Sequence, residues 1–166
     1  NDRLLFRIRE DLRRFRALTI GKTIILGRKT LQTLPEGKPL VGRANIVMTR
    51  NEDFRADPAV ICHSINELPA LLAGIPRHEI FVVGGASIYS LLLPYCQTAF
   101  VTRAAIGLPS DRHFPDLEQA GGWQLVSCEH LTTEHALIEG SEIPRRLEVD
   151  FCVFRQSEAK VLGHDS

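Results

Sequence analysis

The chain is poor in the residues that mark specialised folds. Its 166 residues include four cysteines, one methionine, one tryptophan and two tyrosines. Cys62, Cys96, Cys128 and Cys152 lie far apart, with no CxxC pair. That spacing offers neither a zinc framework nor a disulfide-dense secreted scaffold, and it suits a reducing, cytoplasmic setting. Charge of one sign is also missing, since 20 Lys+Arg offset 20 Asp+Glu. A nucleic acid or an anionic membrane as main partner would call for a basic excess. A local basic patch for a small phosphorylated ligand remains compatible. No Asn-x-Ser/Thr site and no signal peptide is present. One uncharged span, Ile80 to Thr102, is long enough for a bilayer of about 30 Å. Gly84, Gly85, Ser87, Ser90, Pro94, Gln97 and Thr98 interrupt it. Its texture passes from β-branched to helical and back, so it reads as strand, helix, strand in a soluble protein.

What is present is a chain 44% hydrophobic and long enough for one domain with its own core. Helical and strand-like segments alternate. A helix is expected from about Arg9 to Ala17, a strand at Thr23–Leu26 and a helix opening at Arg28. A turn-rich stretch, Pro35–Pro39, precedes strands at Asn45–Thr49 and Ala59–Cys62, then a helix from about Asn66 to Ala73. Late β segments follow near Trp123–Glu129 and Leu147–Phe154, with a polar stretch, His130–Arg146, between them. Strands separated by helices imply right-handed βαβ units. The expected class is therefore α/β, with a single, mostly parallel central sheet flanked by helices and a C-terminal antiparallel hairpin. Residues 1–157 form the domain in this reading, and the polar segment 158–166 is a loose tail.

Four local patterns point to chemistry. Ile8, Leu12 and Phe15 form an apolar stripe at helical spacing, and Asp11 shares that face. A carboxylate there is costly unless paired or used, although on its own a rim residue neutralised by an arginine is the plainer reading. Gly27-Arg28-Lys29-Thr30 lies where a strand ends and a helix begins, a place with free N–H donors and two added cations, suited to a pyrophosphate. Gly21-Lys22-Thr23 imitates the end of a phosphate-binding P-loop, but Arg16 occupies the required glycine position and a strand follows, so that match fails. Gly84-Gly85-Ala86-Ser87-Ile88-Tyr89 follows a buried strand directly. It is neither GxGxxG nor GxSxG, yet paired glycines let a ligand approach the backbone. Finally, the strand Asn45–Thr49 ends at Arg50, whose guanidinium suits a ribose phosphate if a dinucleotide is near.

Taken in order, these segments resemble the dihydrofolate reductase family over about Asp2 to Phe154. The residues that carry the resemblance are Leu4-Leu5-Phe6-x-Ile8-x-Glu10-Asp11-Leu12-x-x-Phe15 and Ile25-Leu26-Gly27-Arg28-Lys29-Thr30. Gly42-Arg43-x-Asn45-Ile46-Val47-Met48-Thr49-Arg50, Val83-Gly84-Gly85-x-x-Ile88-Tyr89, Thr102 and Asp111-x-His113-Phe114-Pro115 continue it. The resemblance implies NADPH-dependent reduction of 7,8-dihydrofolate to tetrahydrofolate, feeding one-carbon metabolism, in a bacterial-type enzyme that uses Asp rather than Glu. Asp11 is then the acid that binds the pterin's amino group and ring N–H, and Thr102 hydrogen-bonds its carboxylate. Phe15, Leu34, Leu40 and Val83 line the folate rings, and Arg43 pairs bidentately with the glutamate tail. On the cofactor side Gly27, Arg28, Lys29 and Thr30 match the first phosphate-binding helix start. Met48, Thr49 and Arg50 match the adenosine 2′-phosphate site. Gly84 and Gly85, directly after the cofactor-side Val83, match a cis peptide of the family, and Ala86, Ser87, Ile88 and Tyr89 the second phosphate-binding helix. His113 needs no metal on this reading, and the partners are small molecules acting on a monomer.

The chain departs from the family pattern with Phe6 for Trp and Arg9 for Pro. Ahead of Asp2 the family also places a central strand and a mobile loop, which the resemblance implies are not contained in these residues. A riboflavin-biosynthesis-type reductase of the same fold is the near alternative, but it would not need Asp11 together with Arg43. A nucleotide-binding module incomplete for catalysis is the alternative from another class.

Overall fold

The computed structural model describes residues 6–105, 116–138, 141 and 143–163. The strands are β1 (Phe6–Arg7), β2 (Thr23–Gly27), β3 (Ala44–Met48), β4 (Val60–Cys62), β5 (Ile80–Val82), β6 (Thr98–Ala104), β7 (Trp123–Ile138) and β8 (Arg145–Gln156). The α-helices are α1 (Arg9–Thr19), α2 (Arg28–Thr33), α3 (Leu68–Leu71) and α4 (Ala86–Leu92). The α/β class, the parallel sheet and the C-terminal antiparallel hairpin are all present. Hydrogen bonding divides the strands into two four-stranded sheets, β4-β3-β2-β5 and β1-β7-β8-β6, instead of one. The chain correspondingly forms two compact units. Of the described residues, one takes in 6–17, 96–105, 116–138, 141 and 143–159, the other 18–95 and 160–163.

In the second unit, β2 pairs in parallel with β3 and β5, and β3 with β4. All five residues of β2 are buried, which is why Thr23-Ile24-Ile25-Leu26-Gly27 reads as a run and not as an alternation. The pleat sends Ile25 to a cluster with Ile46, Met48, Leu68, Ile88 and Leu92. It sends Ile24 and Leu26 to the opposite cluster with Leu31 and Val47. The expected helix at 66–73 is shorter than its pattern: a 3₁₀ turn, Ile65–Glu67, runs into the four residues of α3. The segment read as a loose tail is held as far as it is described. Lys160 N–H donates to the Pro94 carbonyl at 2.9 Å, and Leu162 packs on the first cluster.

The antiparallel unit corrects three sequence expectations. The stretch after Glu129 is not a connection, because β7 continues to Ile138 and β8 opens at Arg145. Thr133 and Ala136 face inward and are buried, while His130, Thr132 and Glu134 are exposed, so a strand with one wet face was mistaken for a loop. Leu12 is 47% exposed and does not extend the apolar stripe, whereas Ile8 is buried with Ala136, Leu147 and Val149. A reducing setting was also expected from the spacing of the four cysteines. The β7–β8 register sets Cys128 directly opposite Cys152, and the two form a disulfide. Cys62 and Cys96 remain thiols. Among the described residues no helix is long and apolar enough to cross a membrane.

Candidate functional site

In an open parallel sheet, ligands bind beyond the carboxyl ends of the strands, at the point where strand order reverses. Here the chain steps outward from β2 to β3 to β4 and then returns to the far side of β2 with β5. The reversal therefore lies between β2 and β5. The two glycine-bearing segments that follow these strands meet there.

Gly27 ends β2 and starts α2, and its N–H donates to the Gly84 carbonyl at 2.8 Å. Gly84 and Gly85 are joined by a cis peptide, as the resemblance implies. A Cβ would crowd each of these glycines. At Gly27 a Cβ would lie 3.0 Å from Ile88 Cγ1, and at Gly85 it would lie 3.0 Å from Thr30 Oγ1. Gly84 has φ +100°, and a Cβ there would press on the Tyr89 ring at 2.9 Å. The starts of α2 and α4 are thus in backbone contact. Neither carries a side-chain cap, which leaves N–H groups of both first turns for an anion. Arg28 and Lys29 add positive charge beside them.

The end of β3 is built with its neighbour β4. Thr49 N–H donates to the Cys62 carbonyl at 3.0 Å, and Thr49 Oγ1 accepts from Asn51 N–H at 3.2 Å. His63 Nδ1 lies 2.9 Å from the Thr49 carbonyl, next to the exposed Arg50. Sequence reasoning missed His63. The parallel register Met48↔Cys62 is what brings it there, and no local pattern marks it.

Arg43 is oriented within the same unit. Its Nε and Nη2 both donate to Thr19 Oγ1 at 3.2 Å, and its Nη1 donates to the Val41 carbonyl at 2.8 Å. Thr19 is 1% exposed, so it fixes the guanidinium stem from inside. The buried Asn45 shapes the loop before it. Asn45 Oδ1 accepts from Leu40 N–H at 3.0 Å, and its Nδ2 donates to the carbonyls of Leu40 and Arg43 at 2.9 Å each. Neither Thr19 nor Asn45 received a role from the sequence; a polar residue inside a buried parallel strand was the available signal for Asn45. Leu34, Leu40 and Val83 are half-buried against the cluster of Leu26 and Leu31.

Asp11, Phe15 and Thr102 belong to the antiparallel unit. Asp11 lies in the first turn of α1, where the helix dipole favours a carboxylate. Thr102 on β6 donates its hydroxyl to Asp11 Oδ1 at 2.5 Å, joining residues 91 positions apart. Both are half-buried, and Phe15 follows one turn later, also half-buried. A carboxylate held by a strand hydroxyl is ordered and able to accept or pass on a proton. The thiols are poor competitors for a catalytic role. Burial pushes Cys96 up to about 11, and Cys62 is raised by the same cause, so both stay protonated near neutral pH. Leu4-Leu5 and Asp111–Pro115, with His113, lie outside the described residues.

The family model for dihydrofolate reductase matches residues 1–140. The chain is 36% identical over 124 residues to the dihydrofolate reductase of Bacillus subtilis, covering 75% of this chain and 71% of that protein. It is 39% identical over 135 residues to that of Mycobacterium leprae, covering 76% of this chain and 80% of that protein. A solved structure of Enterococcus faecalis dihydrofolate reductase, complexed with NADP(H) and RAB-propyl, superposes with a TM-score of 0.75 at 23% identity. That superposition covers 94% of this chain and 86% of the other, and it shows the fold. Matched along most of its length by the family model and by relatives above 30% identity, the chain belongs to the dihydrofolate reductase family.

Proposed function

We propose that the protein reduces 7,8-dihydrofolate to 5,6,7,8-tetrahydrofolate with NADPH, as an oxidoreductase of one-carbon metabolism. The observation that carries this reading is the Thr102–Asp11 hydrogen bond at 2.5 Å, which holds a single carboxylate in a fixed orientation. Asp11 binds the pterin's amino group and ring N–H and serves the protonation at N5, while Thr102 keeps its carboxylate oriented. Phe15, Leu34, Leu40 and Val83 line the folate rings. Arg43, already steered by Thr19, pairs with the carboxylate of the glutamate tail.

The residues at the β2 and β5 ends fit a dinucleotide diphosphate, since a Cβ at Gly27, Gly84 or Gly85 would crowd the junction of the two helix starts. Gly27, Arg28, Lys29 and Thr30 would hold one phosphate, and Gly84, Gly85, Ala86, Ser87, Ile88 and Tyr89 the other, with Val83 at the strand end. Met48, Thr49 and Arg50 would hold the adenosine 2′-phosphate. When bound, NADPH supplies the hydride for C6 of the pterin. In this reading residues 1–157 act as one catalytic domain. It is a cytoplasmic monomer working on small molecules, with neither nucleic acid nor membrane among its partners, in keeping with a formal net charge of +0.

The test is NADPH oxidation followed by absorbance, with and without dihydrofolate, on protein shown to be folded by circular dichroism. Oxidation that depends on dihydrofolate and exceeds that with NADH is the expected result. Folded protein that binds neither NADPH nor dihydrofolate would overturn the assignment.

A further inference from the structure

The antiparallel sheet carries a row of three residues in register: Thr102 on β6 opposite Phe151 on β8, and Phe151 opposite Glu129 on β7. Phe100 is two residues before Thr102 on β6, so it shares the face of this row. Arg14 lies over that face. Its guanidinium carbon is 4.7 Å from the Phe151 ring centroid and 5.7 Å from that of Phe100, both within cation–π range. Arg14 is also three residues after Asp11 in α1, the spacing at which helix side chains are neighbours. Arg14 is half-buried.

We propose that Arg14 is a positioning residue for Asp11. Seated on Phe100 and Phe151, it braces α1 against β6, which carries the Thr102 hydroxyl, and against the neighbouring β8, and keeps a positive charge one turn from the Asp11 carboxylate. The inference rests on Asp11 as the acid of the proposed function and names a further residue that serves it. Burial pushes the Arg14 guanidinium down, and the charges of Asp11 and Glu129 oppose that. Arg14 is therefore shared between a carboxylate on its own helix and one on β7. The other partners it meets, the Phe100 ring from β6 and the Phe151 ring from β8, do not titrate. Glu10, the next carboxylate on α1, has its own neighbours in Arg13, Thr133 and His135.

A cation beside a carboxylate favours the ionised form. Turnover that needs the protonated acid falls as pH rises, so removing the cation moves that fall upward. Arg14→Met keeps an unbranched apolar stem on the two rings and removes the charge. In it the alkaline fall of kcat moves up by about half a pH unit to one unit, while the dissociation constant for NADPH stays the same. Arg14→Lys returns the fall toward that of the parent. Glu129→Gln, at an exposed site that tolerates change, releases Arg14 toward Asp11 and moves the fall slightly down. Its result decides the matter if Arg14→Met does not fold. Profiles of both charge-removing variants that overlay the parent's, with only a lowered thermal midpoint for Arg14→Met, would reduce Arg14 to a structural brace and overturn the proposal. Should the parent not reduce dihydrofolate at all, the proposed function fails separately. The same upward shift, read by NMR on the Asp11 carboxyl carbon without substrate, then decides the inference.

Discussion

The two units of this protein place functional groups by opposite means. At its candidate phosphate site the parallel unit works through backbone: three glycines and two uncapped helix starts set it, and a Cβ on any of the three would crowd the junction. The antiparallel unit works through side chains that meet across strands or from helix to strand. Thr102 with Asp11, Arg14 with two phenylalanine rings, and His130 with Glu148 and Asp150 are all of this kind. The difference follows from hydrogen-bond geometry. Parallel strands are buried on both faces and offer chemistry only at their ends, whereas an antiparallel sheet presents a full face of alternating side chains. Side-chain deletions should accordingly hit turnover in the antiparallel unit and ligand affinity in the parallel one.

Asp11→Asn should give the largest effect. It keeps the shape and the Thr102 partner but loses the titratable acid, so kcat should fall about 100-fold or more, most strongly at neutral and higher pH. NADPH affinity, a property of the other unit, should not change; fluorescence titration would show it. An unchanged pH–rate profile would return Asp11 to a structural role and erase the contrast.

Arg50→Gln comes next. Removing a charge-assisted contact of about 1.5–3 kcal/mol should weaken NADPH binding roughly 10- to 100-fold while leaving NADH binding alone. Equal losses for both cofactors would move the 2′-phosphate site away from the end of β3. Arg43→Lys is a milder change in the same unit. It keeps the charge but loses the two-pronged donor that Thr19 steers, so the KM for dihydrofolate should rise about tenfold with little change in kcat. A fall in kcat with constant KM would show that Arg43 acts on the chemistry instead.

The smallest effect sharpens the comparison from the stability side. His130 on β7 lies between Asp150 Oδ1 at 2.6 Å and Glu148 Oε2 at 2.8 Å on β8. Hydrogen bonds to Asp150 and then Glu148 raise its pKa above the ordinary histidine value. A raised value means the folded state holds the proton more tightly. The stabilisation is therefore complete below about 6.5 and is lost as pH climbs through the raised value. Thermal unfolding should show the antiparallel unit slightly more stable at mildly acidic than at mildly alkaline pH, and His130→Gln should abolish that difference. The effect is small because the site is exposed and screened. A variant with an unaltered pH dependence would locate it elsewhere.

Much of this was legible without coordinates. Thr23–Leu26 read as a strand, and glycines placed directly after strands at 27 and 84–85 already marked backbone sites. Asp11 on α1 and Thr102 on β6 could be paired in advance because the order of segments resembles a known family. The errors share one cause. The strand from His130 to Ile138 was hidden because its exposed residues are polar, and only its partner β8 shows which alternate residues are inward. Leu162 looked like tail until a cluster existed for it to cover.

The sequence by itself therefore determined what local rules and periodicity control: the α/β class, the helix starts at Arg28 and Ala86, the buried strands, and the glycines that a side chain would replace only with strain. Only the tertiary structure decided what depends on register between distant segments. Parallel pairing of β3 with β4 put His63 beside Thr49, and antiparallel pairing of β7 with β8 joined Cys128 to Cys152. The same register set Glu129, Phe151 and Thr102 in one row beneath Arg14. Local sequence encodes torsion preferences and burial patterns a few residues at a time, but register across a sheet is settled by all the packed faces together. A slip of one residue would turn every one of these side chains to the opposite face.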